Sequence, residues 1–313
     1  MKRLHKKYSL IAYILLVASL LLTGCETNPG SNTPGPNLDP NVKGSRDNTS
    51  TVLTPEAPGT SVHSCDVAVI DVSNSAEGYI CASYTGTNEK VKLQIKGPDG
   101  VTYTYNLHGN GYEVFPLTAG SGSYTVGVFE NISGTKYSTA LSAQFEAGIT
   151  NTFGPYLYPN QYVNFTATSL PIAKAVELAY PASSDLEVVE QVYNYIISHF
   201  SYDYDKAATV VSGYLPVVDN VYRSNTGICF DYAAVMATML RTQNIPTRLE
   251  VGYVGEEYHA WISVYIKDMG WVNGIIEFDG TNWNLMDPTF ASTSKSPKDY
   301  ITKNSKYLTK YVY

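Results

Sequence analysis

Alternating apolar and polar positions predict β-structure in the first half of the chain. Val91, Leu93 and Ile95 are separated by Lys and Gln residues, a period of two that places all three on one face of a strand. After the turn residues Gly97-Pro98-Asp99-Gly100 the same period resumes and continues to Leu107. The pattern predicts a hairpin with one buried face.

Further runs indicate that this hairpin belongs to a larger β-domain. Apolar residues alternate on both sides of a turn predicted at Asn131–Gly134, and shorter runs lie at Asp66–Val72 and Tyr79–Tyr84. Six or seven such strands predict an all-β, immunoglobulin-like sandwich over residues 61–150. The Tyr side chains on these strands are either adhesive contacts or ordinary strand residues.

After Pro181 the apolar period changes to that of a helix. Ser184 and Glu187 form an S-x-x-E capping box, which predicts a helix start. The apolar positions of this helix are Leu186, Val189, Tyr193, Ile196 and Phe200. A second helix is predicted from Cys229 to about Asn244.

Strands return after the second helix. Their predicted positions are 249–253, 259–266, 271–278 and 283–286. Helices followed by antiparallel strands are typical of the α+β class. We therefore predict an α+β domain over residues 151–313.

The N-terminus has the layout of an export signal. Four basic residues precede an apolar run from Leu10 to Leu22, whose thirteen residues are too few to cross ~30 Å of hydrocarbon as a helix. The run ends in Leu22-Thr23-Gly24-Cys25, which resembles the bacterial lipobox. That resemblance implies that residues 1–24 are a lipoprotein signal peptide and that Cys25 is lipidated, which would place the chain extracytoplasmically on a bacterial cell membrane. An ordinary secretory signal with an incidental Cys, or a short uncleaved anchor, is the alternative.

Residues 25–60 are predicted to be the lipidated Cys and a disordered linker. Of residues 26–60, 24 of 35 are Pro, Gly, Asn, Ser or Thr, and they show no apolar periodicity. A chain of 313 residues exceeds what one hydrophobic core usually organises, which agrees with two folded domains after the linker.

Charge argues against a nucleic-acid partner. Without residues 1–24 the chain carries 17 basic and 28 acidic residues, a formal charge of −11. No Lys/Arg run remains that could neutralise phosphate groups.

Three short strings in the second domain contain the residue types of a cysteine nucleophile site. They are Gly227–Ala233, His259-Ala260-Trp261 and Met286–Thr289. A thiol enzyme needs a thiolate, a base that takes and returns its proton, and a group that orients the base. Cys229, His259 and Asp287 could supply these in turn, although spacing alone does not bring them together. The predicted helix start at Cys229 would lower the pKa of its thiol.

These strings and their neighbours resemble the core motifs of the transglutaminase-like superfamily. The similar stretches are G-I-C-F-D-Y-A, then A-x-M-L-R-x-x-x-I-P-T-R with G-Y, then H-A-W and W-x-x-M-D-P-T, within Ser184–Ala291. The resemblance implies a papain-like fold for the catalytic domain, preceded by the immunoglobulin-like sandwich. With the lipobox and linker, the whole arrangement is similar to secreted bacterial lipoproteins of this superfamily.

By this resemblance Cys229 is the nucleophile, His259 the general base and acid, and Asp287 the carboxylate that orients the imidazole. Attack on an amide carbonyl gives a thioester through an oxyanion, and the backbone N–H of Cys229 is the natural first donor to it. Tyr214 is either a second donor or a core side chain. No metal or cofactor is implied.

Other family positions are expected to be structural. Trp261 is expected to pack near His259, and Arg241 and Arg248 to form ion pairs. The chain departs from the family at Ser263, where many members carry an acid. If that acid supports the active-site face through a salt bridge, the support is weaker here.

The resemblance implies an enzyme on amide bonds of a peptide or protein, cell-wall peptides included. Hydrolysis is the first expectation and protein crosslinking by transglutamination the second. A non-catalytic surface protein that binds a partner is the alternative of a different class.

Two cysteines remain outside these roles. Cys65 and Cys81 are either a disulfide, which an oxidising compartment would allow, or two free thiols. His63 precedes Cys65 by two residues, but no second closely spaced Cys/His pair is present in the sequence, so no zinc site is predicted.

Overall fold

Antiparallel strands of residues 62–147 form two four-stranded sheets. The computed structural model describes residues 38–109, 111–254, 256–278, 283–285 and 307–313. The strands of this part are β1 Val62–Ser64, β2 Ala68–Asp71, β3 Tyr79–Tyr84, β4 Val91–Lys96, β5 Thr102–Leu107, β6 Glu113–Pro116, β7 Gly122–Ser133 and β8 Lys136–Ala147. One sheet has the order β1-β2-β3-β6 and the other the order β5-β4-β7-β8.

The hairpin predicted around Gly97–Gly100 is confirmed as β4 and β5. Val91 pairs with Leu107 and Ile95 with Tyr103, and alternate side chains of both strands are buried. Tyr105 of β5 meets Phe115 of β6 edge-on at 4.8 Å between ring centroids, so the two sheets contact each other in a common core. Tyr103, Tyr105 and Tyr124 lie inside this core and are ordinary strand residues.

The second hairpin turns later than the sequence predicts. Instead of turning at Asn131, β7 runs on to Ser133, which pairs with Lys136 across a two-residue loop. The Asn131 amide donates to the carbonyl oxygens of Gly134 and Lys136, which satisfies the backbone where the register shifts. Gly134 takes the left-handed conformation, φ 53°, that such a tight loop requires.

The second half of the chain contains helices followed by a five-stranded sheet, as predicted for an α+β domain. The helices are α1 Pro171–Ala179, α2 Asp185–His199, α3 Tyr204–Thr209, α4 Val218–Ser224 and α5 Cys229–Arg241. The strands are β9 Ser201–Tyr202, β10 Thr226–Gly227, β11 Thr247–Val254, β12 Glu257–Ile266, β13 Gly270–Phe278, β14 Trp283–Leu285 and β15 Tyr307–Val312. The large sheet has the order β14-β13-β12-β11-β15, and β9 pairs with β10 separately.

The predicted capping box starts α2. The Ser184 hydroxyl accepts a hydrogen bond from the Glu187 N–H at 3.2 Å, while the Glu187 carboxylate accepts from the N–H of Ser183 rather than of Ser184. These bonds satisfy backbone donors that the first helical turn leaves unpaired.

Helix α5 is buried against one face of the large sheet. Leu249 and Val251 of β11 pair with Ile262 and Ala260 of β12, and all four side chains lie in the core that α5 contacts. Since side chains alternate along a strand, Arg248 lies on the opposite face, with Ser263 and Tyr265 of β12. The sheet thus has a helix-covered face and a second face that turns away from α5.

Residues 38–60, which we call the strap, correct the prediction of a disordered linker. The Arg46 guanidinium donates to the Asp185 carboxylate at 2.6 Å and to the backbone carbonyl of Gln243. Farther along, the Thr51 N–H donates to the Thr242 carbonyl at 2.8 Å. The composition correctly excludes helix and strand here. Hydrogen bonds nevertheless fix residues 46–51 of the strap on the helical half, and the N–H groups of Glu56 and Gly59 donate to Tyr79 and Asp71 of the strands.

The strands and the helical half belong to one compact unit. Tyr313, after β15, stacks on Tyr162 at 4.1 Å between ring centroids and meets Tyr105 of β5 edge-on at 5.9 Å. The predicted domains 61–150 and 151–313 therefore share an aromatic contact. In the portion that the structure covers, no helix is both long and apolar enough to cross a membrane. The predicted signal peptide, 1–24, and Cys25 lie outside the described residues.

Candidate active site

Cys229 is the first residue of α5, and its sulfur lies among hydrogen-bond donors. Ile228 precedes it in extended conformation, so the chain enters the helix at the nucleophile. The backbone N–H groups of Phe230 and Ala260 both donate to the Cys229 Sγ. Ala260 is the middle residue of the H-A-W string on β12, so this string lies beside the thiol.

Burial dominates the electrostatics of this thiol. It raises the pKa of Cys229, and the amides of Ala260 and Phe230 lower that pKa without reversing the rise. The negative charge of Asp231 adds to the rise. The sequence prediction of a lowered pKa is therefore wrong, because desolvation outweighs the helix N-terminus.

His259 is half-buried on β12, opposite Gly252 of β11. It precedes Ala260, whose N–H reaches the Cys229 sulfur. The structure thus brings the segment that carries the candidate base next to the candidate nucleophile. Asp287, the third predicted member, lies outside the described residues.

Tyr202 contacts the candidate nucleophile, although the sequence motifs do not single it out. Its strand, β9, runs parallel to β10, and Tyr202 pairs with Gly227, two residues before the nucleophile. The Tyr202 hydroxyl donates to the Cys229 thiol and accepts from the Cys229 backbone N–H. Burial raises the pKa of Tyr202 to about 12, so the phenol keeps its proton. The family motifs quoted above begin at Gly227 and do not include Tyr202, so they give no signal for it.

Asp231 organises the backbone in front of the nucleophile. Its fully buried carboxylate accepts from the Ile228 N–H at 2.8 Å and from the Lys206 ammonium at 2.6 Å. The Tyr214 hydroxyl donates to the other carboxylate oxygen. This contact commits Tyr214 to Asp231, which favours the structural alternative over a role as oxyanion donor.

A carboxylate reaches Ser263 from the neighbouring strand. The Ser263 hydroxyl donates to Glu250 of β11 at 2.5 Å, and the Thr309 hydroxyl of β15 donates to the second oxygen at 2.8 Å. Both Ser263 and Glu250 are buried. An acid is therefore present on this face although position 263 itself carries none.

Trp261 and Arg241 are buried in structural positions. The Trp261 ring packs on Tyr307 at 4.9 Å between centroids. Arg241 donates to the backbone carbonyls of Thr247, Tyr158 and Tyr313, so hydrogen bonds to carbonyl oxygens replace the expected ion pair. Burial lowers the pKa of Arg241 to about 9.

Cys65 and Cys81 are free thiols in this structure, the first exposed and the second buried. In the antiparallel pairing of β2 with β3, Ala68 is opposite Tyr84 and Cys81 is opposite Asp71. Cys65 precedes Ala68 and therefore lies at the other end of this pairing from Cys81. The register thus separates the two sulfurs and selects the free-thiol alternative.

Comparison with known proteins finds a family match within the second half of the chain. Residues 172–274 match the family model of the transglutaminase-like superfamily. The protein-glutamine gamma-glutamyltransferase of Pseudomonas aeruginosa is 31% identical over 88 residues, which are 24% of this chain and 13% of that protein. Uncharacterized protein YebA of Bacillus subtilis is 25% identical over 118 residues, which are 31% of this chain and 16% of that protein.

Among solved structures, a candidate cysteine protease from Cytophaga hutchinsonii aligns with this chain at 12% identity and a TM-score of 0.33. The alignment covers 68% of this chain and 67% of the protease chain. A score this low does not establish a common fold. The matched segments are also under a fifth of the length of the two curated relatives. On the family match, residues 172–274 belong to the transglutaminase-like superfamily.

Proposed function

We propose that the chain is a cysteine enzyme that acts on amide bonds of peptides or proteins. The observation that carries the proposal is the setting of Cys229: a helix start, two backbone N–H groups on its sulfur, and the H-A-W strand beside it. His259 would act as general base and acid, and Asp287 would orient its ring. Family membership of residues 172–274 supports these roles.

The raised pKa of Cys229 gives His259 a defined task. A protonated thiol is a poor nucleophile, so the base must remove its proton as the sulfur attacks the carbonyl carbon. The C–S bond forms while the carbonyl π electrons move onto oxygen. The tetrahedral intermediate then collapses, the protonated His259 returns its proton to the leaving amine, and a thioester remains on Cys229.

Two groups of the chain suit the oxyanion. The Cys229 backbone N–H and the Tyr202 hydroxyl already meet at one point next to the sulfur. A substrate oxygen placed there would receive the N–H bond that the Tyr202 oxygen now accepts, and the phenol could donate to it. Donors set in place in advance are usually the largest contribution to such catalysis.

Hydrolysis is the proposed outcome, in which water attacks the thioester and releases a carboxylic acid. Acyl transfer to an amine, protein crosslinking included, is the second candidate, because one matched relative is a protein-glutamine gamma-glutamyltransferase. The two reactions share every step up to the thioester.

The outcomes are separated by incubating the chain with casein and a fluorescent primary amine. New peptide fragments indicate hydrolysis, and fluorescence on intact casein indicates transfer. Both should disappear in Cys229→Ala and persist in Cys65→Ala, a matched control at an exposed free thiol. Full activity of Cys229→Ala would contradict the proposed mechanism.

Two proposals concern the rest of the chain. The first is that Cys25 carries a lipid anchor, which the lipobox-like sequence supports; Cys25→Ser should then move the protein from the membrane fraction to the soluble fraction. The second is that residues 61–150 are immunoglobulin-like. In support, successive strands cross between the sheets from β3 to β4, from β5 to β6 and from β6 to β7, as Greek-key sandwiches do.

A further inference from the structure

A cavity of about 390 Å³ lies between the strand sandwich and the face of the large sheet that turns away from α5. Its walls come from the segments Leu117–Ser121 and Thr152–Tyr156 and from three residues of the large sheet, Arg248, Tyr265 and Trp271. The volume is within the range of small-ligand pockets. None of its lining residues belongs to the site around Cys229, so the cavity is separate from that site.

The cation of the cavity is Arg248, held by aromatic rings. Its guanidinium lies 3.6 Å from the centroid of the Trp271 ring and 4.8 Å from that of Tyr156. The Arg248 Nε is buried without a hydrogen-bond partner. The guanidinium also donates a hydrogen bond to the Tyr156 hydroxyl, so the contacts to both rings hold it in place while its Nε stays unpaired.

No carboxylate among the described residues lies within salt-bridge distance of Arg248. The residue directly across from it on β12 is Ser263, whose hydroxyl donates to the Glu250 carboxylate on the same face of the sheet. The second oxygen of that carboxylate accepts from the Thr309 hydroxyl, so the nearest acid is bound by hydroxyl groups and forms no ion pair with Arg248.

We propose that this cavity binds the C-terminal residue of a peptide, with the α-carboxylate on the Arg248 guanidinium. A guanidinium recognises a carboxylate through two parallel N–H···O bonds, and Phe153 and Tyr265 provide apolar surface for the attached side chain. The acidic surface of the chain disfavours polyanions, whereas a ligand with one carboxylate and an apolar body suits a single cation among aromatic rings. The choice of a peptide as the source of the carboxylate rests on the proposed function.

The test is calorimetric titration of the full chain carrying Cys229→Ala, which prevents turnover, with N-acetyl-leucyl-phenylalanine and with its C-terminal amide. We expect the acid to bind at least about tenfold more tightly than the amide, since the amide lacks the charge. Arg248→Gln should weaken binding of the acid by a similar factor, and Arg248→Lys, which keeps the charge but loses the fork, should give an intermediate affinity. Arg223→Gln, at an exposed Arg of α4, should bind like the parent.

Equal affinity for the acid and the amide would overturn the proposal. This comparison uses one protein and two ligands, so it does not depend on whether an Arg248 variant folds. Unchanged affinity of a folded Arg248→Gln would overturn it too. Tighter binding of inorganic phosphate or glucuronate than of the peptide would replace it with a different ligand class. The titration measures binding in a variant that lacks the nucleophile, so its result does not depend on catalysis at Cys229. A negative result would contradict the proposed ligand site and leave the proposed enzymatic function untouched.

Discussion

Two opposing influences act on the thiol of Cys229. The helix start and two backbone N–H groups favour the thiolate, and burial favours the neutral thiol and raises the pKa. In His259→Ala, labelling of Cys229 by iodoacetamide should therefore increase with pH with a midpoint above the ordinary thiol value of 9.0. Peptide mapping after labelling at graded pH measures this, and Cys229→Ala gives the background. A midpoint below 9.0 would show that the helix N-terminus outweighs desolvation.

Tyr202 provides the second test at the residue scale. Replacing it with Phe removes the hydroxyl that contacts both the sulfur and the backbone N–H of Cys229. We expect kcat to fall by about 10²-fold with KM little changed, as for loss of one oxyanion donor. Steady-state kinetics on a fluorogenic peptide amide would measure both constants. Tyr204→Phe, at an exposed neighbour, is the control, and equal kcat values for the two variants would exclude Tyr202 from catalysis.

The sequence points to Cys229 and His259 as candidates because each lies within a run of residues that resembles the transglutaminase-like superfamily. It does not identify Tyr202, since the hydroxyl reaches the thiol only through the parallel pairing of β9 with β10. It also predicts the wrong direction for the Cys229 pKa, because the degree of burial at a helix start is a tertiary property.

At the scale of elements, Asp231 links α3, α5 and the loop between α4 and α5. Its buried carboxylate holds the Ile228 N–H and the Lys206 ammonium. Asp231→Ala leaves the Ile228 N–H without its acceptor and the Lys206 ammonium without its counter-charge, with only the Tyr214 hydroxyl to accept from it. The substitution should lower the free energy of unfolding by about 3–5 kcal/mol. Urea unfolding measures the loss.

The matched control is Glu177→Gln, which breaks the surface pair with Lys174 on α1. An exposed pair of this kind contributes about 0–1 kcal/mol. A loss in Asp231→Ala no larger than in this control would show that Asp231 does not organise the loop.

Local signals explain which elements the sequence predicts. A capping box and regular apolar spacing identify α2, and period-two alternation identifies the strands around Gly97–Gly100. Helix α1 is missed because it has no side-chain cap and only nine residues. Strand β15 is missed because its partner, β11, lies far away in sequence, with Tyr311 opposite Val251.

At the scale of the molecule, the strap ties the beginning of the described chain to the helical half. Arg46 is its main polar anchor, through Asp185 and the Gln243 carbonyl. Arg46→Ala should lower the free energy of unfolding by about 1.5–3 kcal/mol, the range for hydrogen bonds to charged groups. Thermal unfolding followed by circular dichroism tests this, with Lys43→Ala as the control. Equal melting temperatures for the two variants would show that the strap adds no stability through Arg46.

Composition alone does not reveal the strap. A segment rich in Pro, Gly, Asn, Ser and Thr is typical of linkers, and such a segment can still be fixed when a neighbouring surface offers carboxylates and carbonyls. The contacts that fix this one, to Asp185 and Thr242, lie more than a hundred residues away in sequence. The same limit applies to the cavity at Arg248, whose walls come from three distant segments.

The central claim, that Cys229 is an activated nucleophile, is tested most directly by competition between two thiols of one molecule. The full chain is treated briefly with the p-nitrophenyl ester of an N-acetyl amino acid, and acylation of Cys229 and of exposed Cys65 is quantified by mass spectrometry of peptides. We predict that Cys229 is acylated in preference to Cys65 and that His259→Ala lowers this preference at least about tenfold. Faster acylation of Cys65, or a preference that His259→Ala leaves unchanged, would contradict the proposed mechanism.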